Sequence, residues 1–240
     1  MMEPAWPTQE QVTRVTQYKA LGLSFSTLVD RERGILEGLR PLAVQSESSA
    51  SDAQLLSTYR QVAQELASRA PQISAAAFHG QLYHRVAQHL QTIPGWDESV
   101  AFSSSSSWWP IFEDAPGALQ YLGKFYRLIL IAPPQGIDVL ALARRLPVEF
   151  DAIIEPSDED WHNSLESELH RLGLERSELL PVRSTESDDP WNERVDFPVC
   201  TLRRGHDQPW NHSPQAMDGK RWEYASLADL AHAHQKALHT

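Results

Sequence analysis

From about residue 110 onward, short apolar segments alternate with helical patterns, and this alternation limits the possible folds more than any other feature. Tyr126–Ala132 (YRLILIA), Phe150–Glu155 (FDAIIE), Leu179–Arg183 (LLPVR) and Phe197–Leu202 (FPVCTL) each read as a buried strand running into turn residues. Between them, Ala115–Lys124, Ile137–Arg145 and Asn163–Leu172 place apolar residues three and four apart, as amphipathic helices do. Gly173 is a natural stop for the last of these. The alternation implies an α/β fold, a Rossmann-like parallel sheet of five to six strands with helices on both faces. One more strand, Tyr18–Ser24 (YKALGLS), stands far ahead of the others.

The interval between that first strand and the rest has a different texture. Residues 31–107 carry no convincing strand. Ser46–Asp52 (SESSASD) is a polar loop in which Ser51 or Asp52 can cap a helix, and Gln54–Ala67 and Ala75–Leu90 read as two amphipathic helices. The serine run Ser103–Ser107 reads as a flexible connection. The expected organisation is a core of residues 1–30 and 108–240, interrupted by an all-helical cap of residues 31–107.

The net charge of −11 argues against nucleic acid and membrane-surface partners, because both are anionic. The single cysteine, Cys200, excludes an intrachain disulfide and sits between apolar strand residues, where packing is the plainer role. No apolar run approaches the length of a membrane span, and the first residues lack the basic and apolar regions of a signal peptide. A cytoplasmic protein is the expectation. His79, His84 and His89 are five apart, which turns each about 140° from the last on a helix, so a metal site there is not favoured.

The segment YKALGLSFSTLVDRERGILEGLRP (18–41) resembles the opening of the type II 2-haloacid dehalogenases of the haloacid dehalogenase superfamily, a strand running into F-D-x-x-G-T-L-x-D. The order of later segments supports this. WWPIFEDAPGALQYLGKFYRLILIAPPQG (108–136) is similar to the family's W-P-x-F-x-D stretch, helix and second core strand. ELHRLGLERSELLPVRS (168–184) is similar to the helix leading into the fourth motif, and YASLADLAHAHQKAL (224–238) to the last helix.

The resemblance also implies what is missing. It assigns the nucleophilic aspartate to the position of Leu23, which has no nucleophilic atom. Phe25 stands where metal-using relatives carry a second aspartate, so two carboxylates expected of a magnesium site are absent. Ser26 replaces the family glycine, and only Thr27 matches. Ala132 and Pro133 fall where a Ser or Thr, often with Asn, would hold the substrate's anionic group. No lysine lies between Phe150 and Gly173 to serve the third motif. The fourth motif is retained in part as Ser184, Asp188 and Asp189.

Several residues remain as site candidates. Asp188, Glu155 and His162 are the candidate acid–base groups, with helix capping for Asp188 and a solvated acidic loop (155–162) for the others as the plainer readings. Leu23, Phe25, Thr27, Arg40, Trp109, Ala132 and Gln135 are the candidates for contact with a ligand, with Trp108 and Arg33 as neighbours of the same kind. Neither a cofactor nor a metal is expected. The favoured reading is a non-hydrolytic, metal-independent enzyme of cyclase, isomerase, dehydratase or lyase type. Its substrate would be a mostly apolar small molecule in the core–cap cleft, with natural-product biosynthesis a plausible setting. The alternatives are a non-catalytic binding or regulatory pseudoenzyme, and a residual hydrolase using Asp188 or Glu155 as base. The resemblance also allows a homodimer.

Overall fold

The computed structural model describes residues 14–46, 50–69, 74–132, 139–155, 161–185, 189–192, 198–204, 215–217 and 221–239. Its centre is one sheet of seven strands: β1 (Ala20–Ser24), β2 (Arg127–Ile131), β3 (Ala152–Ile154), β4 (Leu179–Ser184), β5 (Val199–Leu202), β6 (Gln215–Met217) and β7 (Arg221–Tyr224). The spatial order is β3-β2-β1-β4-β5-β7-β6. Six strands run parallel, and β6 pairs antiparallel to β7 at one edge. β1 lies between β2 and β4, with Leu23 opposite Leu130 on one side and Val182 on the other. All five residues of β1 are buried, as expected of a central parallel strand covered on both faces.

The first four helices after β1 are α1 (Arg31–Gln45), α2 (Asp52–Arg69), α3 (Ala75–His89) and α4 (Trp96–Ser105). They form the helical cap. The starts of α1, α2 and α3 are capped by local side chains: Asp30 accepts from the amide of Arg33, Ser51 from Gln54, and Ser74 from Ala77. Leu39, Val62, Leu66, Leu82, Val86 and Phe102 from the cap join Leu21, Leu23 and Leu130 from the sheet in one hydrophobic cluster. Each such leucine contributes roughly 2 kcal/mol by leaving water, so cap and sheet are held together by shared core.

The remaining helices are α5 (Ala115–Leu122), α6 (Val139–Ala143), α7 (Trp161–Arg171) and α8 (Leu227–Leu238). Gly173 follows α7 with φ +67°, the left-handed conformation a side chain would strain. The five strands read from the sequence are all present, four of them trimmed by one or two residues at one or both ends and β4 longer by one, Ser184.

The serine run is a correction. Ser103–Ser105 complete α4 and Ser106–Trp108 form a 3-10 turn, so this stretch is helical and not a flexible connection. The hydroxyl of Ser103 donates to the carbonyl of Ser99 at 2.7 Å, and that of Ser105 to the carbonyl of Phe102 at 2.8 Å. Such back-bonding satisfies serine inside a helix, and buried Phe102 holds that helix to the cap core.

Candidate active site at the strand ends

The C-terminal end of β1 turns through a 3-10 segment, Phe25–Thr27, before α1 begins. The hydroxyl of Thr27 donates to the carbonyl of Ser24 at 2.6 Å and tightens this turn. β4 ends beside it at Ser184, and a second 3-10 segment, Pro190–Asn192, follows. These two chain segments meet at the carboxylate of Asp189.

Asp189 is only 4% exposed. Its Oδ2 accepts hydrogen bonds from the hydroxyls of Ser24 (2.6 Å) and Ser26 (2.8 Å) and from the amide of Ser184 (2.8 Å). Oδ1 accepts from the amide of Trp191 at 3.0 Å. The Ser184 hydroxyl donates to Ser26 at 2.8 Å and closes the cluster. Burial raises the pKa of Asp189 above the ordinary aspartate value, and the hydrogen bonds from Ser24, Ser184, Trp191 and Ser26 only partly offset it.

Trp191 fastens the same segment to β1. Its indole N–H donates to the carbonyl of Gly22 at 2.9 Å. A Cβ on Gly22 would come within 2.6 Å of the Trp191 ring, so glycine there is what lets the indole lie on the strand. Trp161 meets Trp191 edge-on at 5.1 Å between centroids.

A second buried cluster braces the far side of the turn. Arg204, just beyond β5, makes paired hydrogen bonds to Asp114 at 2.8 and 3.0 Å and donates to the carbonyl of Thr27 at 3.0 Å. Its guanidinium lies 4.1 Å from the centroid of Phe112. Asp114 in turn accepts from the amides of Leu227 and Ala228 at the start of α8. Burial alone would raise the Asp114 pKa, but Arg204 and those two amides outweigh it and hold the carboxyl below its ordinary value.

The site candidates distribute as follows. Leu23, Phe25, Thr27 and Ala132 are all buried at the strand ends, Leu23 and Thr27 at 0% exposure. Trp109 is buried but packs on the cap side, against Gly34 of α1, and Trp108 is exposed. Arg40 is on the exposed face of α1, and Arg33 pairs with Glu37. Glu155 is exposed beyond β3, beside a cavity of about 430 Å³ that Asn163 and Ser167 also line. His162 stacks on its neighbour Trp161. Asp188 and Gln135 lie outside the described residues. The buried carboxylate of the fourth-motif segment is Asp189. The sequence does hold a clue to that assignment: Asp189 stands immediately before a proline and a tryptophan, the start of a 3-10 turn whose ring anchors the segment. Ser24 and Ser26 were not singled out as site residues, because nothing in the linear order ties them to residues 165 and 163 positions away.

A divalent cation does not fit this set. Leu23 and Phe25 offer no oxygen, the Asp189 carboxylate is filled by protein donors, and the described residues contain no group of three His, Cys, Asp or Glu placed to hold a metal. Among the described residues no helix is long and apolar enough to cross a membrane.

Solved structures with the same architecture are numerous. An L-2-haloacid dehalogenase superposes with a TM-score of 0.65 at 17% identity, over 90% of this chain and 98% of that one. A defluorinating L-2-haloacid dehalogenase gives 0.66 at 15% identity, over 93% and 98%. The Xanthobacter autotrophicus L-2-haloacid dehalogenase, with chloropropionic acid covalently bound, gives 0.63 at 16% identity, over 91% and 98%. The chain has the haloacid dehalogenase fold. No family model and no curated protein matches the sequence. A haloacid dehalogenase fold at this identity settles core, cap and topology and leaves the chemistry to the residues of the site.

Proposed function

We propose that this haloacid dehalogenase-fold protein acts by binding and not by covalent hydrolysis, as a pseudoenzyme. The observation that carries this is the closed polar network at the end of β1. The position that the resemblance assigns to the nucleophile is a leucine at 0% exposure. The nearby carboxylate, Asp189, spends its lone pairs on four donors of the protein itself. A general base must reach a substrate proton or a water, and Asp189 is turned inward. The loss of charge at Leu23 and Phe25 also removes the magnesium-assisted route of phosphoryl transfer.

A second reading keeps some chemistry. Glu155 is exposed beside its own cavity of about 430 Å³, with Asn163 and Ser167 as neighbouring polar groups. In this reading Glu155 is the base that activates water, as in a residual hydrolase.

Halide release from chloropropionate and phosphate release from p-nitrophenyl phosphate distinguish the readings. The binding reading expects background rates for the purified protein. Turnover that disappears in Glu155→Ala would favour the second reading, and turnover that survives Glu155→Ala but not Asp189→Asn would overturn both.

A further inference from the structure

The helical cap contains a cavity of about 370 Å³, away from the strand-end network and within the size range of small-molecule sites. Its walls are mainly aromatic and apolar. Tyr83 of α3 and Phe102 of α4 form one wall, their rings 4.9 Å apart. Trp109 closes the inner end, and Trp108, 75% exposed, stands at the mouth. Among the described residues only two formal charges line the space, and both are carboxylates: Glu37 from α1 and Glu98 from α4.

We infer that this cavity binds a small organic cation, an ammonium group carried on an apolar or aromatic body. The argument is one of complementarity. Aromatic faces attract cations through their quadrupoles, most strongly when the site is partly desolvated. The structure already holds a cation against the aromatic residue at the mouth: the guanidinium of Arg145 lies 5.7 Å from the Trp108 ring centroid and is anchored by the carbonyls of Ser107 and Trp109. The two carboxylates add negative potential on the side of the cavity lined by α1 and α4, and the whole molecule carries −11. An anion would meet both carboxylates and would be excluded.

The carboxylates differ in how firmly they are held. Glu98 accepts from Gln45 at 2.8 Å and from the amide of Gly95 at 3.1 Å, which fixes it at the start of α4. Glu37 pairs with Arg33 across exposed helix surface, a solvent-screened pairing with which a bound cation competes. The Tyr83 hydroxyl is buried without a hydrogen bond of good geometry, and a bound amine gives it one to accept. Burial, with the Glu98 carboxylate nearby, pushes that phenol up to about 12, so it stays neutral at physiological pH. This binding site is separate from the strand-end site and does not depend on whether the latter is catalytic.

Three probes with one body and different charge test the inference by calorimetry on the intact protein: phenethylamine, phenethyl alcohol and phenylpropionate. Phenethylamine should bind with a Kd of about 1 mM or tighter, roughly tenfold better than the alcohol, with phenylpropionate weakest. Glu37→Gln, at an exposed position, should weaken the amine about threefold to tenfold and leave the alcohol unchanged. Ala101→Phe, which projects a ring from α4 into the space, should abolish binding of all three. Equal affinity for amine and alcohol would overturn the cation assignment. Amine binding that persists undiminished in Ala101→Phe would place the ligand elsewhere and overturn the site, as would no amine binding at about 10 mM.

Discussion

His79 is buried in the cap among the rings of Phe78, Phe102 and Trp109, and its Nδ1 has no hydrogen-bond partner. Burial, aided by the charge of Arg31, lowers its pKa from 6.5 to about 4. In that window the unfolded chain binds a proton that the folded chain does not. Stability is therefore full above about pH 6.5 and falls as pH drops toward 4, by on the order of 3 kcal/mol. His79→Phe should flatten this slope, which urea unfolding at a series of pH values would measure. Asp189 works in the opposite sense. Its raised folded pKa favours the protonated form, so its contribution is full below the ordinary aspartate pKa and is lost as pH rises through the folded value. Asp189→Ala should still destabilise the protein at neutral pH, by about 2–4 kcal/mol. It strips the acceptor from the hydroxyls of Ser24 and Ser26 and from two amides, and buried donors without partners are costly. The contrast shows what the site's sequence could convey. Leu23, Phe25 and Thr27 were legible from the local motif, because they lie within five residues of one another. The Ser24–Ser26–Asp189 network was not, because it exists only where β1 and β4 lie side by side.

Elements were legible where the pattern was long or fully apolar. The strand YRLILIA and the helices 54–67 and 75–90 needed no tertiary information. β7 escaped notice because RWEY alternates, burying only Trp222 and Tyr224, and a strand of four residues gives too short a period. The serine run misled because intrinsic propensity is weak beside the packing of Phe102. The joint between β5, the Phe25–Thr27 turn and α8 was equally hidden, since Asp114 and Arg204 are 90 residues apart. Arg204→Met should loosen this joint. It leaves Asp114 as a largely buried carboxylate with only two amides, at a cost of about 3–5 kcal/mol. The pair also has its own pH signature. The folded pKa of Asp114 is depressed, so its stabilisation is present above the ordinary aspartate value and is lost as pH falls through the lower folded one. Thermal melting should show Arg204→Met losing most at neutral pH and converging on the parent protein only in strong acid.

At the scale of the whole molecule, cap and sheet share one hydrophobic cluster, and Leu23 belongs to it. The end of β1 is therefore core, where a hydrolase of this fold would need an accessible nucleophile. This makes Leu23→Asp the decisive substitution. If only the nucleophile stood between this chain and hydrolysis, restoring it would restore halide release. We expect no release. The new carboxylate would sit at a position with 0% exposure, flanked in the sheet by Leu130 and Val182. The hydroxyls of Ser24 and Ser26 are already committed to Asp189, and Arg204 is committed to Asp114. The sequence holds no lysine between Lys124 and Lys220 to balance the charge. An unpaired buried carboxylate raises its own pKa and prefers the neutral, poorly nucleophilic form. Lost leucine packing and the buried polar group together should cost at least about 3 kcal/mol. Leu23→Ala separates the two causes. It loses the packing but adds no titrating group, so only Leu23→Asp should lose further stability as pH rises through the raised folded pKa. Urea melts of both variants across pH, beside a halide assay, read all of this. Halide release by Leu23→Asp at unchanged stability would mean that the strand end is still a working dehalogenase pocket, and the binding reading would have to be abandoned.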